Sequence, residues 1–122
     1  MSTDKVPPGQ YKRKYPRRVF YGNVGVLVHG LYSVTDSTTL GEGGMSFLYE
    51  TTIPANTEIV VTFKIPDDAM ISVRAEVRNS RKDKSKDSNK IIHGIQFLPL
   101  PIGEKRRIRA YVSARTEEEP II

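Results

Sequence analysis

The chain has 122 residues, 38% of them hydrophobic and 27% charged, which suits one soluble globular domain with a single core. It has no cysteine, so a disulfide framework, a thiol nucleophile and thiolate metal ligands are excluded. The net charge is +5, and Lys5, Lys12, Arg13, Lys14, Arg17 and Arg18 crowd into residues 5–18 with no acid among them, which points to an anionic partner.

Residues 1–10 hold Pro7, Pro8 and Gly9 and read as a lead-in with no apolar signal segment, so a cytoplasmic location is expected. Residues 11–18 form a basic arm. Pro16 removes a donor and holds Tyr15 extended, so the arm is an extended or turning segment rather than a helix. Period-2 alternation then recurs. Val24, Val26 and Val28 alternate, with the run continuing past Gly30 toward Val34. Met45, Phe47 and Tyr49 follow, then Ile59, Val61, Phe63 and Ile65, then Ile71, Val73, Ala75 and Val77, and last Ile95 and Phe97. Apolar residues on one side and polar residues on the other mark half-buried antiparallel strands, with Met45, Phe47, Phe63 and Phe97 in the core. Residues 53–56 and 66–68 are turn-like, and the wholly polar residues 79–90 read as an exposed hairpin loop. Beyond Pro101, Ile108, Tyr111 and Val112 share one face of a short helix over about 103–115, with Glu104 near its start and Arg115 near its end, and the helix should cover one mouth or flank of the sheet. The expected fold is mainly all-β, a barrel or sandwich closed by one helix. No apolar run approaches the ~20 residues of a membrane-spanning helix, so no membrane insertion is expected.

Catalysis is poorly supported, and no enzyme is expected. His29 and His93 fall in predicted strands with no further ligands around them, and no metal is expected. No G-x-S-x-G elbow is present, and Gly41-Glu42-Gly43-Gly44 lacks the Lys-Ser/Thr of a phosphate loop. Alone, that stretch reads as a tight turn or bulge needing positive φ. The arm is more specific, because Arg13 and Arg17 stand at R-x-x-x-R spacing with Arg18 adjacent. A guanidinium fork gives two parallel hydrogen bonds to a phosphate or to the O6/N7 edge of guanine, and it can stack on a base.

The run Arg13-Lys14-Tyr15-Pro16-Arg17 resembles the R-x-x-x-R motif that opens PilZ domains. Some 20 residues later that family carries [D/N]-x-S-x-x-G, and Thr39-Leu40-Gly41-Glu42-Gly43-Gly44, followed by Met45-Ser46-Phe47, occupies the corresponding place. The strand bearing Arg74 and Arg78, then His93-Gly94-Ile95-Gln96-Phe97 and a closing helix, agrees with the same family. The resemblance implies a single domain over 11–115, with the arm at 11–18, a six-stranded antiparallel β-barrel over about 19–98 and the helix at about 103–115, followed by a tail at 116–122. It implies cyclic di-GMP as the ligand and no other cofactor. Arg13 and Arg17 would grip phosphates and guanine edges, Arg18 would add charge, and Gly44 would supply the sharp backbone turn. Thr39 stands where the family has Asp or Asn, and Gly41 where it has Ser. A lost hydrogen bond to a charged partner costs ~1.5–3 kcal/mol.

The leading expectation is a cyclic di-GMP receptor, with Arg13, Arg17, Arg18, Thr39, Gly41 and Gly44 at its site. It changes conformation on binding and signals to a downstream protein not identified by the sequence. One alternative, motivated by Thr39 and Gly41, is an adaptor that binds proteins and not the nucleotide. Another, less supported, is a barrel binding nucleic acid nonspecifically through its charge and through aromatics outside the obvious core, namely Tyr11, Tyr15, Phe20, Tyr21 and Tyr32.

Overall fold

The computed structural model describes residues 17–83 and 89–114. Seven strands and one helix run in the order β1 (Arg17–Val19), β2 (Asn23–Val28), β3 (Leu31–Gly41), β4 (Gly44–Tyr49), β5 (Glu58–Lys64), β6 (Met70–Lys82), β7 (Ile91–Phe97) and α1 (Ile102–Ser113). All pairings are antiparallel, in the order β1-β3-β2-β5-β6-β7-β4, and β4 returns to pair with β3. The return closes β2 to β7 into a six-stranded barrel. The short β1 continues the line of β2 along β3, beyond a break at residues 20–22. The Ser37 hydroxyl bridges that break: it accepts from the Gly22 N–H at 3.0 Å and lies 2.8 Å from the carbonyls of Phe20 and Gly22.

Alternation builds the interior as the sequence predicts. Val24, Val26, Val61, Phe63, Ile71 and Ala75 point inward, each with no exposed surface. The register sets Val24 against Phe63 and Val61 against Val73. Met45, Phe47, Phe63 and Phe97 lie in the core. On α1, Ile108 and Val112 stand one turn apart and are buried, which contributes about 1.5–3 kcal/mol each. Tyr111 lies beside them, edge-on to Phe20 with ring centroids 5.8 Å apart. The helix therefore covers the barrel where β1 meets β3.

Four expectations change. Phe20 is core, 4% exposed, and it also meets Phe63 edge-on at 6.1 Å. His29 is not in a strand. With φ of 50° it forms, with Gly30 at φ 80°, the two-residue turn between β2 and β3, the left-handed pair that suits a twisted hairpin. Residues 79–82 extend β6 and pair with β7 instead of opening the loop. They carry no apolar signal because this end of the hairpin stands clear of the core, with both faces exposed. Finally, among the described residues, positive φ is confined to His29, Gly30, Asn56 and Asp67. The glycines of the 41–44 stretch therefore do not serve a left-handed turn. Asn56 and Asp67 occupy the third positions of tight turns closed by Thr57 N–H to Pro54 O (3.3 Å) and Asp68 N–H to Ile65 O (3.0 Å), which confirms both turn expectations.

Candidate functional site

The last two residues of the arm, Arg17 and Arg18, meet the second motif on an adjacent strand. The β1–β3 register sets Arg17 opposite Gly41, Arg18 opposite Leu40 and Val19 opposite Thr39. Successive residues of a strand face opposite sides. Leu40 is fully buried, so its partner Arg18 faces the interior side, toward the helix. Arg17, Gly41, Val19 and Thr39 share the outer face. Arg18 donates from its guanidinium to the Tyr111 carbonyl at 2.9 Å, and that guanidinium lies 4.0 Å from the Tyr111 ring centroid. Arg13 lies outside the described residues.

A bulge shapes the outer face. Between Ser37 and Thr39 the register of β3 on β4 shifts by one, leaving Thr38 as the extra residue. A bulge sets two residues of one strand against one of its partner. Thr38 and Thr39 accordingly both reach the Ser46 hydroxyl, at 2.5 and 2.6 Å. Ser46 was not singled out from the sequence, yet the signal was there: it lies between inward-facing Met45 and Phe47, so it must face the same side as Thr39. The polar strip continues across β7 and β6. Ser46 pairs with Gly94, whose outer side is covered by the Asn79 amide, and Arg78 donates to Gln96 at 2.8 Å.

Gly44 is required by packing before any ligand is considered. A Cβ there would sit 2.1 Å from the Ile95 carbonyl oxygen and 3.2 Å from its carbon, and backbone atoms cannot yield that distance cheaply. Glu42, the acid inside the second motif, is 7% exposed and held by a two-pronged bond from Arg109 of α1, Nε to Oε1 at 3.0 Å and Nη2 to Oε2 at 2.8 Å. That fork keeps the Glu42 carboxyl below the usual carboxylate range, against the opposing effect of burial. Arg107 makes a similar contact with Asp68 at 3.0 Å. The second motif is thus clamped to the helix on one side and opens onto Arg17 on the other. Among the described residues, no group of three or more His, Asp or Glu side chains could hold a metal ion, and no helix is long and apolar enough to cross a membrane.

Comparison with known structures finds the same barrel. The Bacillus subtilis inhibitor of motility MotI/DgrA aligns with 87% of this chain at 16% identity and a TM-score of 0.74, although the match covers only 54% of its own length. MrkH of K. pneumonia, solved as a complex with c-di-GMP, aligns with 80% of this chain at 16% identity and a TM-score of 0.66, over 49% of its length. The PilZ domain of YcgR from Escherichia coli, solved with c-di-GMP, aligns with 85% of this chain at 15% identity and a TM-score of 0.66, over 91% of its length. This chain therefore spans about half of the first two proteins. A comparison with curated protein sequences returns no match. The PilZ domain family model matches residues 11–114, so, with its barrel, its closing helix and Arg17–Val19 paired to the second motif, the chain belongs to the PilZ domain family.

Proposed function

We propose that this domain, residues 11–115, is a cytoplasmic receptor for cyclic di-GMP with no catalytic role. The β1–β3 register carries the reading, because it places the second arginine of R-x-x-x-R directly against Gly41, with the Thr39 hydroxyl on the same face. Arg17, joined by Arg13 from the arm, binds the phosphates and guanine edges through paired N–H groups. Thr39 offers a hydroxyl to the base edge, and the side-chain-free Gly41 lets a base approach the strand closely. Arg18 faces the helix and serves as the link from the arm to Tyr111. Ligand gripped by Arg13 and Arg17 would pull on that link and alter the surface presented by α1 to a protein partner.

Titration calorimetry with cyclic di-GMP, with GTP as control, tests this reading. Saturable micromolar or tighter binding is expected, absent for GTP and lost in an Arg13→Ala/Arg17→Ala protein. No heat at high ligand concentration would reject it and favour the protein-binding adaptor. The specific support for that second reading is that the Thr39 hydroxyl already has an internal partner in Ser46, in a position where the family carries an acid or amide.

A further inference from the structure

The β2–β3 hairpin carries apolar surface that the proposed ligand site does not use. Leu31, Tyr32 and Val34 are 71%, 63% and 59% exposed, and Leu27 beside them is 39% exposed. Tyr32 lies across Gly25 of β2, where an added Cβ would come within 2.2 Å of its hydroxyl oxygen, so the ring is laid flat along the sheet. β2 bonds one side of residues 31–36, while β4 pairs with the other side through its backbone from Ser37 onward and reaches back to Thr35, whose hydroxyl donates to the Leu48 carbonyl at 2.6 Å. Among the described residues, no strand pairs with that other side over residues 31–34. An exposed edge of this kind usually carries a lysine, a proline or a bulge that discourages pairing. Residues 31–35, Leu-Tyr-Ser-Val-Thr, carry none of these.

We propose that this edge pairs with the same edge of a second copy of the chain, β3 against β3 antiparallel, about a two-fold axis at Ser33. The hairpin fixes which groups are available. A two-residue turn closes on a hydrogen-bonded pair, here Val28 with Leu31, and bonded pairs alternate along the ladder. Leu31, Ser33 and Thr35 thus turn their N–H and C=O toward β2, and Tyr32 and Val34 turn theirs to the open edge. With the axis at Ser33, Tyr32 of each copy faces Val34 of the other. Both edge residues of both copies then exchange N–H and C=O, and two aromatic–β-branched side-chain pairs form on the outer face. The ladder ends at residues 32–34, because β4 already holds Thr35; Ser33 meets Ser33, so no charge opposes its like, and the pairing satisfies the edge in a closed dimer that cannot grow into a fibre. The uncharged, self-matching sequence favours a second copy over a partner of opposite charge.

Sedimentation of the whole chain over a wide concentration range, together with site-directed cross-linking, tests the proposal. A reversible monomer–dimer equilibrium is expected. Val34→Lys, with a charge in the centre of the pairing, should weaken its apparent Kd by about tenfold or more. Tyr32→Ser should weaken it as well, and both variants should keep the circular dichroism of the native barrel. Because the chain has no cysteine, Ser33→Cys introduces a single thiol, placed on the axis where the pair is not hydrogen-bonded and the β-carbons come close enough for a disulfide. Mild oxidation should yield a covalent dimer far faster than for Ser72→Cys on the exposed outer face of β6. A monomer at every concentration overturns the proposal. So does a dimer indifferent to Val34→Lys, or a Ser33→Cys protein that cross-links no faster than the Ser72 control.

Discussion

His93 has no exposed surface, and its ring stacks on Phe47 with centroids 5.7 Å apart. The Ile53 N–H donates to Nε2 at 2.9 Å, so Nε2 is unprotonated and the ring proton sits on Nδ1, 3.2 Å from the Ile91 carbonyl. The histidine therefore fastens the segment after β4 to β7 and is not a ligand group. Burial lowers its pKa below the ordinary value, against the weaker raising effect of the Ile91 bond. In the unfolded chain the imidazole takes its proton near the usual ~6.5. The stabilisation from the neutral ring is thus complete above that value and is lost as pH falls through the folded pKa below it. Urea midpoints should fall between about pH 7.5 and about pH 5.5. His93→Gln keeps an acceptor for Ile53 without titrating. It should lose about 1–3 kcal/mol at the upper pH through poorer packing and flatten the pH slope. An unchanged slope in the variant would assign the acid sensitivity to other groups.

At the scale of elements, the decisive contact is the clamp between the second motif and α1. Glu42 is almost buried while Arg109 is half-exposed, so the pair is screened from one side only. Arg109→Ala leaves a nearly buried carboxylate without its fork, at a cost of about 1–3 kcal/mol at neutral pH. Glu42→Gln removes the charge, keeps an acceptor, and should cost less than half as much. Chemical denaturation of the two variants checks the order, and the reverse order would mean that the charge itself, not the satisfied bond, holds the helix. The same carboxyl, with its pKa held below its ordinary value, adds stability above that value that is lost as pH falls through the lowered one. Nothing in the sequence announces this clamp, because its partners lie 67 positions apart and each reads alone as a surface charge. The C-terminal half of β3 was similarly hidden. Thr35-Asp36-Ser37-Thr38-Thr39 shows no apolar alternation, since its strand is sustained by ladders on both sides and by hydroxyl bonds around the bulge rather than by core burial. Where side chains do enter the core, as in β5 and the first part of β6, alternation disclosed the strands directly.

For the whole molecule, barrel closure and the proposed ligand site converge on one strand. β3 alone touches both halves of the N-terminal line, β2 and β1, and also β4 across the seam. A ligand gripping Arg17 and the second motif would tie β1 to β3 and, through Arg18 and Tyr111, to the helix. It would bind the folded chain and not the unfolded one. At a hundredfold excess over its Kd, that linkage stabilises the fold by ~2.7 kcal/mol. For a domain of this size each kcal/mol moves the melting temperature by about 3–6 °C, so cyclic di-GMP should raise it by roughly 10 °C. Arg17→Ala separates binding from folding. Arg17 lies on the partly exposed outer face, so its loss should cost the free protein about 1 kcal/mol or less while removing most of the ligand-induced shift. Gly44→Ala should do the opposite, lowering the melting temperature of the free protein outright, because its Cβ collides with the Ile95 backbone whether or not ligand is present. Differential scanning calorimetry of the three proteins, with and without ligand, distinguishes these cases. An undiminished shift in Arg17→Ala would place the ligand away from the β1–β3 register on which the receptor reading rests.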